Sequence, residues 1–188
     1  MARTNPEARD RLVAAAADML RRRGLNATSI REVAKHAAAP LGSTYHYFPD
    51  GKAQMVSEAV RHVGAKGEAI LARCLEKSPQ EGVSLFLDQW RKVLINTEFR
   101  AGCPVMAVAV EEPEPELQVV TAAAGEVFER WEAVLTQALM AKGKSAEEAT
   151  DIANLILAGI EGAIILCRAR RDITPFDRIA REIRARLV

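Results

Sequence analysis

Residues 28–52 read TSIREVAKHAAAPLGSTYHYFPDGK, and the punctuation of this stretch decides the fold. Ser29 to Glu32 has the form of a capping box, a hydroxyl able to cap a helix with an acid three residues on. Ile30, Val33, Ala34 and Ala37 then recur at helical spacing and define an inward face. Pro40 suits a first helical turn. Phe48-Pro49 ends the segment, because a residue before proline avoids the α region. Two short helices joined by a few residues make a helix-turn-helix.

The same reading extends in both directions. Upstream, Thr4 to Glu7 forms another capping box around Pro6, and Leu12, Ala15, Ala16, Met19 and Leu20 give one helix an apolar face. Arg21, Arg22 and Arg23 suit the negative end of that helix dipole, and Gly24 is a natural stop. Downstream, a long helix is predicted from Asp50 to about Lys77, weakened in its middle by Gly64 and Gly67. Ser78-Pro79-Gln80-Glu81 restarts the chain as a helix carrying Phe86, Trp90, Val93 and Leu94 on one face. Gly102-Cys103-Pro104 breaks the pattern before a short apolar helix at Val105–Val110. The run EEPEPE at 111–116 reads as a solvated acidic loop. A helix from Leu117 stops at Gly143, Ser145 to Glu148 caps the next, and Thr174-Pro175 opens the last.

No segment shows sustained strand alternation, and no repeat is visible. The predicted fold is all-α with about nine helices. A three-helix N-terminal domain occupies residues 1–52, and a larger helical domain occupies 53–188. Helix 4, starting near residue 50, links the two. Composition agrees: the chain has 188 residues, 49% hydrophobic and 27% charged, so it can bury a core, and only 5% are aromatic. No apolar run is expected to reach a bilayer span, and the polar start MARTNPEARD is unlike a signal peptide. Cys74, Cys103 and Cys167 fit neither a disulfide framework nor a metal spacing, which points to a reduced cytoplasm. The net charge of +1 hides an asymmetry: residues 1–52 carry nine Lys and Arg against five Asp and Glu. A basic head on a slightly acidic body suits a polyanionic partner.

These residues carry a family resemblance. Gly24, Thr28, Ile30, Ala34, Gly42, Tyr45-His46-Tyr47-Phe48 and Lys52 resemble the DNA-binding head of TetR-family transcriptional regulators. APLGSTYHYFPDGK is most similar to the LmrA/YxaF-like branch, with its P-x-G-x-x-Y-x-x-F-P-x-G-K string. The likeness is strong over residues 8–60 and architectural beyond, with an echo at Gly102-Cys103-Pro104-Val105. It implies that Pro40, Leu41, Gly42 and Ser43 face the major groove, with Ser43 bonding a base edge and Pro40 or Leu41 meeting thymine methyls. Thr28 and Ser29 would offer hydroxyls and free N–H groups to phosphate. Tyr45, His46 and Tyr47 would meet the DNA backbone, and Lys52 would clamp a phosphate. Phe48 reads better as a core anchor, and Tyr45 fits either role. Where the family often carries Gly in the turn and Ser or Thr capping helix 3, this chain has Ala38 and Pro40, so the turn is expected to avoid positive φ.

The resemblance further implies a C-terminal domain that binds a small apolar or aromatic effector and forms a homodimer, releasing a palindromic operator. Trp90, Cys103, Met106, Phe128 and Trp131 are the candidate effector contacts. Ala158, Gly159, Gly162, Ala163, Ile179 and Ile183 are the candidate dimer contacts, small residues on a helix apolar nearly all round and the last helix beside it. Glu161 within that helix could bind a polar ligand group, pair with Arg168 or another arginine, or point to an interface rim, and pairing is favoured because an isolated buried charge is costly. His36, His46 and His62 form no metalloprotease spacing, and neither a nucleophile elbow nor a phosphate loop is present, so no enzyme, metal or cofactor is predicted. The rival reading is an all-α ligand-binding protein whose head no longer recognises a DNA sequence.

Overall fold

A computed structural model describes residues 6–187, so the predicted cap at Thr4 lies outside the described residues. Among them the chain forms nine α-helices and one 3-10 turn, and no strand. In chain order the helices are α1 (Pro6–Arg23), α2 (Ile30–His36), α3 (Leu41–Tyr47), α4 (Gly51–Leu75), α5 (Pro79–Asn96), α6 (Pro104–Ala109), α7 (Gln118–Met140), α8 (Ala146–Arg170) and α9 (Thr174–Arg186). Three helix starts use the serines that the sequence singles out. Ser29, Ser78 and Ser145 each accept a hydrogen bond from the backbone N–H three residues on, at 3.2 Å in every case.

The helices form two compact units, and their boundary differs from residue 52. The first contains residues 6–64 together with Pro104–Val127, and the second contains Ala65–Cys103 and residues 128–187. The first unit therefore holds not only α1–α3 but also the start of α4, all of α6 and the start of α7. Its core joins Leu12, Ala16 and Leu20 of α1, Val33 of α2, and Met55, Val56, Ala59 and Val60 of α4. Helix α6 is buried along its length from Pro104 to Val108 and packs on α1. Gly64 is not a defect in this unit: a Cβ there would run into Val127. In the second unit a Cβ at Gly67 would come within 2.8 Å of the Trp131 ring. Both positions give up helix propensity for close approach of α7.

The second unit is built on α8 packed against α9 and α5. Ile152, Ile156, Ile160, Ala163, Ile164 and Cys167 of α8 are buried, as are Phe176, Ala180 and Ile183 of α9. By length and composition α8 passes as a bilayer-crossing helix, contrary to the sequence expectation. Its inner face is covered by its own unit, and its outer face carries Leu155, Ile165 and Leu166 exposed.

Glu161 sits in this apolar helix without the expected arginine. Its carboxylate accepts a hydrogen bond from the Cys103 thiol, while Oε2 is buried and has no hydrogen-bond partner among the described residues. The residue as a whole keeps some exposed surface, but the carboxylate oxygen does not. Burial pushes the carboxyl from its ordinary 4.5 up to about 7, and the Cys103 bond opposes that shift only weakly. Arg168 lies instead over Gly102, where a Cβ would come within 2.8 Å of its Nη1.

A pKa raised on folding stabilises fully below 4.5, and the stabilisation is lost as pH rises through about 7. Glu161→Gln, which cannot ionise, should therefore gain on the wild type by roughly 3 kcal/mol between pH 4.5 and pH 8, at about 1.4 kcal/mol per unit. Urea unfolding of both proteins across that range checks this, and parallel stability profiles would refute it.

Candidate nucleic-acid interface

Helix α3 has seven residues, too few to be stable alone, so its position is set by what it buries. Thr44 and Phe48 are fully buried. Thr44 Oγ1 donates to the Pro40 carbonyl at 3.2 Å, and the Phe48 N–H donates to the Thr44 carbonyl at 3.0 Å. The Arg9 guanidinium lies 5.6 Å from the centre of the Phe48 ring and pairs with Glu58 of α4. Glu58 in turn accepts from Gln54 Nε2 at 3.0 Å, and Gln54 Oε1 accepts from the Asp50 N–H at 3.1 Å. Side chains from α1 and α4 thus hold both the end of α3 and the turn after it.

With that side anchored, the opposite face is free. Pro40, Gly42, Ser43, Tyr45 and His46 are exposed, and Leu41 and Tyr47 are half-exposed. Tyr45 keeps 55% of its surface, which decides its open role in favour of the surface. The His46 and Tyr47 rings meet at 5.7 Å between centroids. Lys52 lies half-exposed in the first turn of α4. Gly42 has open space around it, with no atom within 4 Å of where a Cβ would stand. Nothing inside the protein therefore requires glycine at this helical position, where alanine would favour the helix.

Two expectations are corrected. Thr28 does not present its hydroxyl to phosphate: it is fully buried, and Oγ1 donates to the Gly24 carbonyl at 2.7 Å. Ser29 is half-exposed at the α2 N-cap, where its hydroxyl accepts from the Glu32 N–H. The turn also keeps a positive φ, with Ala38 at +50°. The Ala39 N–H bonds the Ala34 carbonyl at 2.9 Å and the Ala38 N–H bonds the Lys35 carbonyl at 3.2 Å, the paired closure of a helix C-terminus. Those bonds hold alanine in the left-handed region at a cost of roughly 1–2 kcal/mol.

The arginine run at the end of α1 is tied within the head. Arg21 and Arg22 bond Asp18, with Nε to Oδ1 distances of 2.7 and 3.1 Å, and His36 Nε2 lies 3.0 Å from its Oδ2. Burial works to raise the Asp18 pKa, but the hydrogen bonds and charges of Arg21 and Arg22 outweigh it and hold the carboxyl below its ordinary value.

Comparison with known proteins matches this geometry. Residues 12–59 match the family described as bacterial regulatory proteins, tetR family, and residues 79–182 match the transcriptional regulator LmrA/YxaF-like C-terminal domain. The chain belongs to the TetR family, in its LmrA/YxaF-like branch. It is 39% identical over 180 residues to the uncharacterized HTH-type transcriptional regulator Rv0196 of Mycobacterium tuberculosis, covering 94% of this chain and 92% of that one. It is 30% identical to the HTH-type transcriptional regulator LmrA of Bacillus subtilis, covering 93% of each. Among solved structures, a TetR transcriptional regulator from Legionella pneumophila superposes with a TM-score of 0.86 over all of both chains at 22% identity. CifR, solved with a 26-base-pair operator duplex as a cysteine mutant, superposes at 0.73 with 20% identity, covering 92% of this chain and 95% of its own. As a TetR-family protein the chain is a DNA-binding transcriptional regulator.

The remaining candidates fall in several places. Trp131 is buried and meets Phe128 edge-to-face at 5.6 Å, so both take part in the packing of the second unit. Trp90 is half-buried, and Cys103 is fully buried. Met106 is buried in the first unit. Of the dimer candidates, Gly159, Ala163 and Ile183 are corrected. Ala163 and Ile183 are buried inside one chain, and a Cβ at Gly159 would press on Ile179 at 3.2 Å and Ile183 at 3.3 Å. Gly159 and Ile183 join α8 to α9. Ala158 and Gly162 do face outward, on a stripe with Leu155, Ile165 and Leu166, which sequence reading missed. The signal was present as a spacing of three, four, three and one residues along α8.

Gly42→Ala should leave the head as stable or raise its stability by up to about 1 kcal/mol, because the site is helical and open. The same substitution should weaken DNA binding by about tenfold, worth roughly 1.4 kcal/mol, if duplex backbone occupies that space. Thermal melts paired with anisotropy titrations read both effects. Unchanged binding would show that α3 does not approach DNA at residue 42.

Proposed function

We propose that the chain is a cytoplasmic homodimeric repressor that leaves a palindromic operator when a small apolar or aromatic effector binds its C-terminal unit. The observation that carries the dimer is the outer face of α8. Leu155, Ile165 and Leu166 keep 46%, 47% and 42% of their surface, and Ala158 and Gly162 between them leave room for a second backbone. Such an exposed apolar row on a helix whose opposite face is buried favours a matching row. A second copy supplies it through a two-fold axis, α8 and α9 of each protomer forming a four-helix contact. Two-fold symmetry then sets two α3 helices about 34 Å apart, one turn of DNA.

On the DNA, Ser43 and Leu41 read base edges, Ser29, Tyr45, His46, Tyr47 and Lys52 hold the backbone, and Gly42 permits close approach. Few long polar side chains line α3, so DNA shape contributes much of the specificity. In the C-terminal unit, Trp90 and Phe128 keep accessible surface for an effector, while Trp131 and Cys103 are buried. Release requires the effector to bind the DNA-free form more tightly, and operator then weakens effector binding by the same factor.

Selection from a random duplex library, followed by anisotropy titration, tests this reading. A palindrome should be selected and bound about a thousandfold tighter than scrambled DNA. Ile165→Glu should leave the helical signal intact, convert the dimer to monomer in sedimentation equilibrium, and remove most of that preference. A dimer that survives Ile165→Glu, or binding indifferent to sequence, would overturn the proposal.

A further inference from the structure

We propose that Glu111, in the acidic run after α6, is a positioning residue for operator recognition: its carboxylate fills a backbone anion nest at the α1–α2 turn. Glu111 Oε1 accepts from the Leu25 N–H at 2.7 Å, and Oε2 accepts from the Asn26 N–H at 2.9 Å. These partners are 86 and 85 residues away in sequence, yet all belong to the first unit. Successive N–H groups after a left-handed residue form a concave anion site. Gly24 supplies that residue, with φ +83°. Any Cβ at Gly24 would fall on Glu111 Oε1, so glycine is required here both for its conformation and for the room it leaves.

The nest matters because the chain runs from it directly into α2. The Gly24 carbonyl accepts from Thr28 Oγ1 at 2.7 Å, and the Leu25 carbonyl accepts from the Thr28 N–H at 3.1 Å. Thr28 therefore takes the turn's carbonyls and Glu111 takes its amides. Between them they set where the chain enters α2 and where its Ser29 cap stands. Helix α2 packs on α3, so the recognition face inherits that position. Charge alone argues the other way, since a carboxylate in a DNA-binding head repels phosphate and its removal should tighten binding. The proposal rests on the operator reading and predicts the opposite sign.

The test uses the full-length protein and the duplex selected by the wild type, with a scrambled duplex as control. Glu111→Ala should bind the selected duplex at least tenfold more weakly, with scrambled-duplex affinity and thermal midpoint little changed. Amide exchange at Leu25 and Asn26 should accelerate in the same variant. Glu111→Gln, which keeps one acceptor oxygen, should show a smaller loss, and it carries the test if the alanine variant fails to fold. Equal or tighter binding of the selected duplex by either folded variant would overturn the proposal. So would unchanged exchange at those two amides. A wild type that selects no sequence would instead overturn the operator reading, and this proposal with it.

Discussion

The DNA-binding half depends on the anchoring of a seven-residue helix by one side only. α3 reaches into the core through Thr44 and Phe48 and leaves its other face bare. Such a helix gains little from its own hydrogen bonds, because nucleation consumes most of what a short helix can return. Its direction is set by neighbours: the α2 turn before it, and the Arg9, Glu58 and Gln54 network after it. Exposed residues on a mobile segment would lose much of their binding free energy to ordering, whereas here they are held in place before DNA arrives.

Most of this was legible in the sequence, and for identifiable reasons. Serine caps and apolar spacing are local signals, so Ser29, Ser78 and Ser145 mark helix starts without reference to anything distant. The misses are long-range. Thr28 reads as a hydroxyl at a helix N-terminus, and only its burial under the turn points it inward. Glu111 reads as one of four acids in a solvated loop, and nothing local reveals that two amides 85 and 86 residues away face it. Ala38 reads as a residue that avoids the left-handed region, but helix closure holds it there.

The second unit shows the same division. That α8 is apolar on most sides is plain in LILAGIEGAIIL, yet the phase that separates inner from outer residues depends on where α9 lies. Small residues alone did not distinguish close packing within a chain from packing between chains. Gly159 serves the first, whereas Gly162 has open space around it. Glu161 was expected to find an arginine and met a thiol, so its proton does what a counter-charge would otherwise do.

Hydrogen exchange of the full-length protein with and without its selected duplex tests the central claim most directly, namely that the bare face of α3 is where DNA is read. Slowed exchange should concentrate in Leu41–Tyr47 and at the α2 N-terminus around Ser29. Protection confined to the arginine run at 21–23, with α3 unchanged, would contradict it and reduce the head to a basic surface.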